Sequence, residues 1–202
     1  MKNKRDKTLI IASHNKGKIT EIHRLLGAFF AEIKSADELG LPEPEESGVT
    51  FSENALIKAR AAMLATGYTA IADDSGLVIP ALNGEPGVYS ARWAGSTKDF
   101  STAIALIEKK LLAISASDFS AKFICALAVC FPNGEEKIAE GEVTGTLAFP
   151  ARGKNGFGYD PIFVADGMTK TFGEISFELK EKINHRAAAF DKLAKYLKYR
   201  VC

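Results

Sequence analysis

A polar segment directly after the first apolar run of the chain has the residue types of an anion-binding site. Its members are Ser13, His14, Asn15, Lys16, Gly17 and Lys18. Two lysines beside the free backbone N–H groups of a helix N-terminus attract an anion such as phosphate. The spacing matches neither a Walker loop nor a G-x-G-x-x-G loop. A capped helix with solvated lysines explains the local pattern equally well.

Two adjacent acids, Asp73 and Asp74, follow a short apolar run. A carboxylate at the end of a strand can bind Mg²⁺ or take a proton from water. Because neighbouring side chains of a strand point to opposite faces, we expect only one of the two acids to face a given site. The alternative is a turn in which Asp74 and Ser75 bond only to nearby backbone, and the local pattern alone favours this turn.

A glycine-rich segment, residues 152–160, places Phe157 between two glycines and Tyr159 directly after the second of them. Glycine lets the backbone approach a ligand closely, and an aromatic ring beside it offers a flat face to a purine. The alternative is a glycine-rich turn whose aromatic rings pack into the core.

Hydrogen-bond donors gather near the start of the last predicted helix. They are Lys180, Asn184, His185 and Arg186. The histidine and the arginine can donate to the carbonyl of a base or to a phosphate. A His-Arg pair on a helix is, however, more often an ordinary surface feature.

An acidic loop is predicted for residues 36–48. Pro42 and Pro44 disfavour regular structure there, and Glu45 and Glu46 lie beside them. We expect this loop to lie beside the site.

Hydrophobic periodicity and turn residues predict helices and strands that alternate along the first part of the chain. The predicted strands are residues 8–13, 69–73, 121–131, 136–147 and 161–164. The predicted helices are one that begins near residue 17, two at residues 54–66 and 96–114, and a helical tail, 171–201. Thr50 and Glu53 have capping-box spacing before the second helix, which we expect to end at Gly67.

This order of elements predicts an α/β, or mixed α+β, fold with a central mixed twisted sheet flanked by helices. Residues 1–7 are expected to form a flexible N-terminal extension, and residues 8–202 a single domain. If that domain has two lobes, the glycine-rich and acidic loops are expected to face each other across an active-site cleft.

The composition is that of an ordinary globular protein. Of 202 residues, 26 are basic and 25 are acidic, which gives a net charge of +1. This balance argues against a general nucleic-acid coat, and we expect no nucleic-acid partner. No run approaches the ~20 apolar residues of a membrane span, so we also expect neither membrane insertion nor secretion.

The cysteines, Cys125, Cys130 and Cys202, are predicted to be free thiols. The first two lie five residues apart in a predicted strand and therefore point to opposite faces. Buried or incidental thiols fit this spacing better than a disulfide or a metal site. A reducing cytoplasm is the expected location.

Together, the motifs resemble the noncanonical purine nucleoside triphosphate pyrophosphatases, the dITP/XTP pyrophosphatase or Ham1-like family. The matching blocks are residues 13–19, 50–55, 72–77, 86–92, 156–163 and 185–187, and the resemblance runs from about residue 8 to residue 198. Ser13 stands where the family commonly has threonine, and Asn184 stands where it usually has serine. Both replacements keep a short polar side chain.

The resemblance implies a reaction and a metal. The family uses Mg²⁺ and cleaves a nucleoside triphosphate between its α and β phosphates, which yields the monophosphate and pyrophosphate. Asp74 would be the general base and a metal ligand, and Glu45 would be a further metal ligand. Glu46 is the alternative to Glu45, and Asp73 stays open as a carboxylate behind the site.

The resemblance also implies how a nucleotide is held. Lys18 and residues 13–17 would hold the triphosphate, with Asn15 and Ser75 as polar supports. The base would be framed by Phe157, Gly158, Tyr159, Asp160, Lys180, His185 and Arg186. A donor opposite the oxygen at purine position 6 accepts hypoxanthine and xanthine, and it is left unpaired opposite adenine at a cost of ~1–3 kcal/mol. A homodimer is the assembly that the resemblance implies.

Other functions stay open at this point. The chain fits a nucleotide pyrophosphatase with another base preference, since phosphate chemistry and base recognition lie in separate loops. It also fits a nucleotide-binding regulator without catalysis, although such a protein would not need Asp74 and the acidic loop. A structural protein or a nucleic-acid binder is the most distant alternative.

Overall fold

A computed structural model describes residues 7–201 and confirms the α/β class, with a mixed sheet flanked by helices. The strands are β1 (Thr8–Ile11), β2 (Glu32–Ser35), β3 (Thr69–Val78), β4 (Ser120–Cys130), β5 (Glu136–Leu147) and β6 (Phe163–Ala165). The helices are α1 (Lys16–Leu26), α2 (Phe51–Thr66), α3 (Phe100–Ala113), α4 (Phe177–Ile183) and α5 (His185–Val201). Residues 1–6 of the predicted N-terminal extension, and Cys202, lie outside the described residues.

The six strands form one sheet in the order β2-β1-β3-β4-β5-β6. β1 pairs in parallel with β2 and with β3, and α1 and α2 make the crossovers that parallel neighbours require. β5 pairs antiparallel with β6. Residues 131–135 connect β4 to β5, and the N–H of Gly134 donates to the carbonyl of Phe131 at 2.9 Å. The predicted hairpin is therefore confirmed.

Helix ends follow the capping residues of the sequence. Thr50 and Glu53 form the predicted capping box of α2, and Gly67 ends this helix with a φ of 68°, a value that favours glycine. The predicted helical tail is instead two helices, and the first of them begins only at Phe177. Asn184 has an extended backbone, with φ −82° and ψ 166°, and thereby separates α4 from α5.

β3 corrects the prediction for the acidic pair. The sequence predicts a strand end at Asp73, but β3 continues through Asp74 to Val78. A run of Asp, Asp, Ser and Gly disfavours a strand when it is considered alone. Cationic side chains from α1, α2 and α5 pair with the two carboxylates and allow them to lie inside the sheet. The turn interpretation is therefore wrong.

Other boundaries differ from the prediction. β2 is missed because its four residues are mostly polar and only one of them is buried. α3 begins at Phe100, after its N-cap Asp99, rather than near residue 96. β6 begins at Phe163, because a short 3-10 helix, Asp160–Ile162, occupies the start of the predicted strand.

The described residues divide into two compact units. The first unit consists of the described residues that lie within the ranges 1–74, 125–141 and 186–202. Its core joins apolar side chains of β1, β3 and β4 to those of α1 and α5. Members of this core include Leu9, Ile71, Leu127, Ile22 and Leu193.

The second unit consists of residues 75–124 and 142–185. Its core is rich in aromatic rings, with Phe123 and Phe163 centred 4.6 Å apart and Phe163 and Phe172 centred 5.1 Å apart. Ile107 of α3 belongs to the same core. The single domain predicted for residues 8–202, and the cleft within it, stay predictions.

Two expectations from composition can be compared with the structure. Cys125 and Cys130 are both buried and both free, as predicted. Within residues 7–201, the helices are too short or too polar to cross a bilayer.

Candidate functional site

Asp73 and Asp74 are buried carboxylates within β3, with exposed fractions of 2% and 6%. Their partners differ, as the alternation of side chains along a strand predicts. Asp73 pairs with Lys18 and Arg186, whereas Asp74 pairs with Lys58. Because buried charges are stable only when they are paired, β3 carries two separate ion-pair groups on adjacent residues.

Asp74 has one engaged and one unengaged oxygen. Its Oδ1 accepts a hydrogen bond of 3.0 Å from Lys58, while Oδ2 is buried and has no hydrogen-bond partner among the described residues. Burial raises the pKa of Asp74 above its usual value, although the charge of Lys58 opposes part of this rise. A carboxylate with a raised pKa and an unused acceptor is suited to take a proton from a bound water.

Lys58 joins Asp74 to the acidic loop. Its ammonium, on α2, also donates to Oε1 of Glu46 at 2.5 Å. Burial alone would lower the pKa of Lys58, but Asp74 and Glu46 outweigh this effect and raise it. Glu45 is exposed, so of the two acids that the sequence left open, the structure brings Glu46 into this group.

A buried asparagine fastens the acidic loop to α2. Asn54 is 1% exposed, and its Oδ1 accepts a hydrogen bond of 2.8 Å from the N–H of Gly48. A Cβ on Gly48 would lie 2.6 Å from Cβ of Glu53 and 2.7 Å from Oδ1 of Asn54. Only glycine allows this close approach, which fixes the loop two residues after Glu46, the partner of Lys58.

The predicted anion segment uses much of its polarity to form its own turn. Asn15 is the N-cap of α1, and its Oδ1 accepts from the N–H groups of Gly17 and Lys18 at 3.0 and 3.2 Å. Oγ of Ser13 accepts from the N–H of Asn15 at 3.1 Å. Lys16 is exposed, whereas the ammonium of Lys18 contacts Asp73. Lys18 is thus the lysine whose position is fixed.

His14 connects this segment to the acidic loop. Its Nε2 lies 2.8 Å from the carbonyl oxygen of Leu41, and its Nδ1 lies 3.3 Å from a carboxylate oxygen of Glu43. The contact explains how two loops distant in sequence are held together within the first unit.

Asp73 is the centre of a buried charge network. Its Oδ2 accepts from Nε of Arg186 at 3.0 Å and from the thiol of Cys125 at 2.9 Å, and Arg186 also pairs with Glu21. Burial would raise the pKa of Asp73, but Arg186 and Lys18 outweigh it and hold this pKa well below its usual value. Arg186 is 0% exposed, so this geometry gives it a structural ion-pair role and lends no support to the predicted contact with a base.

The glycine-rich segment of the second unit is built around Asp160. Its Oδ2 accepts from the N–H of Phe157 at 2.7 Å and from Nζ of Lys180 at 2.6 Å. The same ammonium lies 4.3 Å from the centre of the half-buried Phe157 ring. Gly156 has a φ of +74°, and a Cβ there would meet Oδ2 of Asp160 at 2.0 Å. Gly158, with a φ of +67°, completes the turn.

Three other predicted residues of the second unit are packed against protein to different degrees. Tyr159 is 2% exposed, and its hydroxyl donates to the carbonyl of Ser90 at 2.8 Å. His185 is 5% exposed, and its ring stacks on Phe123 with centres 4.9 Å apart. Ser75 is half-buried in β3. The first two rings are thus largely hidden by the protein itself.

The predicted site residues fall into two groups, one in each unit. The first unit contains Ser13, His14, Asn15, Lys16, Gly17, Lys18, Glu45, Asp74 and Arg186. The second contains Ser75, Phe157, Gly158, Tyr159, Asp160, Lys180 and His185. The sequence prediction missed Lys58, Asn54 and Glu21. The spacing of Asn54 and Lys58, four residues apart on α2, places them on one helical face and was the available signal.

The carboxylates of the first unit fit a hard cation. Glu46 and Asp74 already surround one positive group, the ammonium of Lys58, and Oδ2 of Asp74 is buried without a partner in the described chain. Mg²⁺ is commonly held by one or two carboxylates together with substrate phosphates. Residues 7–201 contain no group of three or more His, Cys, Asp and Glu side chains arranged for a metal.

Comparison with known proteins identifies a family. A model described as the Ham1 family matches residues 9–196. A dITP/XTP pyrophosphatase from Rhodospirillum centenum is 52% identical over 187 residues, which cover 92% of this chain and 92% of that protein. A protein of the same name from Caulobacter vibrioides is also 52% identical, over 185 residues that cover 92% of this chain and 95% of that one.

Solved structures agree with this similarity. A HAM1 protein from Coxiella burnetii superposes with a TM-score of 0.87 at 40% identity and covers 95% of this chain and 98% of that one. The Staphylococcus aureus Ham1 protein gives a TM-score of 0.85 at 40% identity, with 96% and 99% covered. The resemblance found in the sequence motifs is therefore confirmed over nearly the whole chain.

Proposed function

Because the chain belongs to the Ham1 family, we propose that it hydrolyses noncanonical purine nucleoside triphosphates, such as dITP, ITP and XTP, to the monophosphate and pyrophosphate. The names of its relatives support this substrate class. The observation in the molecule that carries the proposal is the buried Asp74, with Oδ1 bonded to Lys58 and Oδ2 unused. Such an enzyme removes deaminated purine nucleotides before a polymerase uses them.

Hydrolysis between the α and β phosphates needs a base and a positioned water. The water oxygen forms a bond to the α-phosphorus, the bond from that phosphorus to the bridging oxygen breaks, and pyrophosphate leaves. Oδ2 of Asp74 takes the proton that the water loses. Lys58 supports this step because it holds Oδ1 and directs the other oxygen to the reaction.

Mg²⁺ is the cation we propose for this site. Glu46 and Asp74 would hold it, since both carboxylates lie around one positive charge in the structure. Glu45, which the resemblance implied, is exposed and stays the second candidate. When bound, the cation would neutralise negative charge on the phosphates.

The phosphates would be held by Lys18 and the N-terminus of α1. Lys18 is fixed by Asp73 and is still 16% exposed at its side chain, so its charge is available at a defined position. The side chains of Ser13 and Asn15 accept from the N–H groups of Asn15, Gly17 and Lys18 and so fix the turn, and the positive end of the helix dipole together with the Lys18 ammonium would favour an anion there.

The base would be read in the second unit. The ring of Phe157 is half-buried, and the ammonium of Lys180 lies over it. Asp160 fixes the backbone N–H of the same residue, so the remaining surface of the ring suits stacking on a purine. A fixed donor opposite position 6 would favour hypoxanthine and xanthine over adenine, because adenine offers no acceptor there.

Pyrophosphate release tests the proposed function. We would supply dITP, XTP, dGTP and dATP at equal concentrations with Mg²⁺ and identify the second product as monophosphate or diphosphate. The proposal expects monophosphate, with dITP and XTP far ahead, and loss of nearly all turnover in Asp74→Asn. Equal rates on all four would reject the base preference. Binding without turnover would instead indicate a nucleotide sensor.

We also propose a homodimer in the cytoplasm. The free thiols of Cys125 and Cys130 support a reducing location. Sedimentation at several protein concentrations tests the assembly, and a mass of one chain, 21.8 kDa, at all of them would reject the dimer.

A further inference from the structure

Tyr159 lies in the segment assigned to the base, yet its side chain has almost no surface to offer. It is 2% exposed, and its ring packs edge-on against Phe100, with centres 5.2 Å apart and planes at 87°. A ring covered in this way cannot also stack on a purine. Its position between Phe157 and Asp160 therefore calls for another explanation.

The hydroxyl of Tyr159 makes a buried bond to a distant part of the same unit. It donates to the carbonyl oxygen of Ser90 at 2.8 Å. Ser90 is 5% exposed, and its own Oγ accepts from the N–H of Leu77 at 2.9 Å and donates to the carbonyl of Gly87 at 2.6 Å. Tyr159 is thus linked through one serine to the end of β3.

Other contacts of Phe157 and Asp160 lie nearer to the turn itself. Asp160 closes the turn through the N–H of Phe157 and binds Lys180, which follows 20 residues later in the chain. The backbone N–H of Gly173 donates to the carbonyl of Asp160 at 2.9 Å. These bonds set the shape of the turn, whereas the Tyr159 hydroxyl ties that turn to residues 77–90.

We propose that Tyr159 is a positioning residue for base discrimination: its bond to Ser90 holds Phe157 and Asp160 where they recognise the purine. This inference rests on the proposed function. A site that relies on hydrogen bonds rejects the wrong base only if it cannot shift to relieve the unpaired group. A tethered turn leaves the group unpaired opposite the wrong base and so keeps the full free-energy cost. A turn that can move a few tenths of an ångström would find another partner for that group and lower the cost.

The test compares two Tyr→Phe substitutions. Tyr159→Phe removes the hydroxyl that bonds Ser90, and Tyr196→Phe is the matched control, because its hydroxyl donates to Glu135 at the surface of the first unit. The main measurement is the ratio of kcat/KM for dITP to that for dATP. Hydrogen exchange of the peptide that contains residues 153–163 reports the anchoring without any substrate, and the Tm reports stability.

We expect Tyr159→Phe to lower the dITP to dATP ratio by roughly three- to tenfold, which corresponds to the loss of one hydrogen bond. Exchange in residues 153–163 should rise, and Tyr196→Phe should change neither quantity. Ser90→Ala, which loses the bond to Leu77, should shift the ratio in the same direction. Both variants interrupt the same chain of bonds, from Tyr159 through Ser90 to Leu77. The double variant should therefore lower the dITP to dATP ratio by less than the product of the two single effects.

Three results would overturn the inference or its premise. An unchanged ratio with a lower Tm would make Tyr159 purely structural. Unchanged hydrogen exchange at residues 153–163 in Tyr159→Phe would show that the bond to Ser90 does not anchor the turn. If the unaltered protein turned over neither dITP nor dATP, the proposed function would fail together with the specificity role, and exchange would still decide whether the anchor exists.

Discussion

Lys58 donates one hydrogen bond to Oδ1 of Asp74 at 3.0 Å and another to Glu46 at 2.5 Å, so a single ammonium joins β3 to the acidic loop. The consequence for Asp74 is asymmetry, because one oxygen is engaged and the other is buried without a partner in the described residues. In the proposed function, that asymmetry gives the two oxygens different tasks, one in holding the site together and one in accepting a proton.

Lys58→Met should lower turnover by about 10²-fold or more at neutral pH, since Asp74 and Glu46 would lose the cation that they share. Removal of the positive charge also raises the pKa of Asp74 further, so the rate should recover in part as the pH increases. The measurement is kcat against pH. Lys58→Arg should retain more activity, and Lys109→Met, at an exposed position of α3, should behave like the unaltered protein. Full activity of Lys58→Met would show that Lys58 has no role in the reaction.

Glu46→Gln should weaken the binding of Mg²⁺ or Mn²⁺, because one of the two carboxylates around the cation position would lose its charge. Glu45→Gln is the matched control and should bind the metal as the unaltered protein does. Calorimetric titration with Mn²⁺ checks this without measuring turnover. If only Glu45→Gln lost metal binding, Glu45 would be the ligand, as the family resemblance implied, and the assignment to Glu46 would be wrong.

Asp73 should stabilise the fold at neutral pH and cease to do so in acid. Arg186 and Lys18 hold its folded-state pKa well below the usual value in spite of burial. A carboxyl group with a lowered folded-state pKa contributes stability above its unfolded-state value, and this contribution is lost as the pH falls through the folded-state pKa. Urea unfolding in EDTA should show a large deficit for Asp73→Asn at pH 7 that narrows toward pH 3. A constant deficit would contradict the assigned charge network.

Cys125→Ala should destabilise the protein by about 1–3 kcal/mol, because the thiol is a buried donor to the charged Asp73. We also expect a raised KM for the nucleotide, since Asp73 holds Lys18. Cys130→Ala is the matched control in the same strand: it is equally buried, but its sulfur lies 3.6 Å from Glu136, which pairs with Arg60. Equal KM changes in the two variants would exclude a role for Cys125 in placing Lys18.

Gly156→Ala should be far more harmful than Gly67→Ala. Both glycines have positive φ, so each substitution costs about 1–2 kcal/mol of backbone strain. A Cβ at Gly156 would in addition lie 2.0 Å from Oδ2 of Asp160, whereas Gly67 has open space. Thermal unfolding and the dITP to dATP ratio should both change in Gly156→Ala and only the former in Gly67→Ala. Similar effects in both would mean that the turn tolerates displacement of Asp160.

Local sequence patterns determined much of the secondary structure. The capping box of Thr50 and Glu53, the end of α2 at Gly67 and the hairpin between β4 and β5 were all predicted and confirmed. Each depends on residues that are close in sequence, such as a side chain that bonds a backbone group three positions away. The family was also predicted from motifs and confirmed by comparison, because motifs in a fixed order can be recognised from residue types alone, without knowledge of contacts.

The tertiary structure decided what the individual side chains do. The same Asp-Asp-Ser-Gly run suggests a turn when it is considered alone, yet it continues β3, because Lys18, Lys58 and Arg186 reach its carboxylates from three helices. Asp73 and Arg186 are 113 residues apart, so no local pattern predicts their pairing. The sequence determined which chemical groups are present and which short segments are regular. The packing of helices on the sheet decided which charges meet, because the free energy of a buried charge depends on partners that only the folded chain brings within reach.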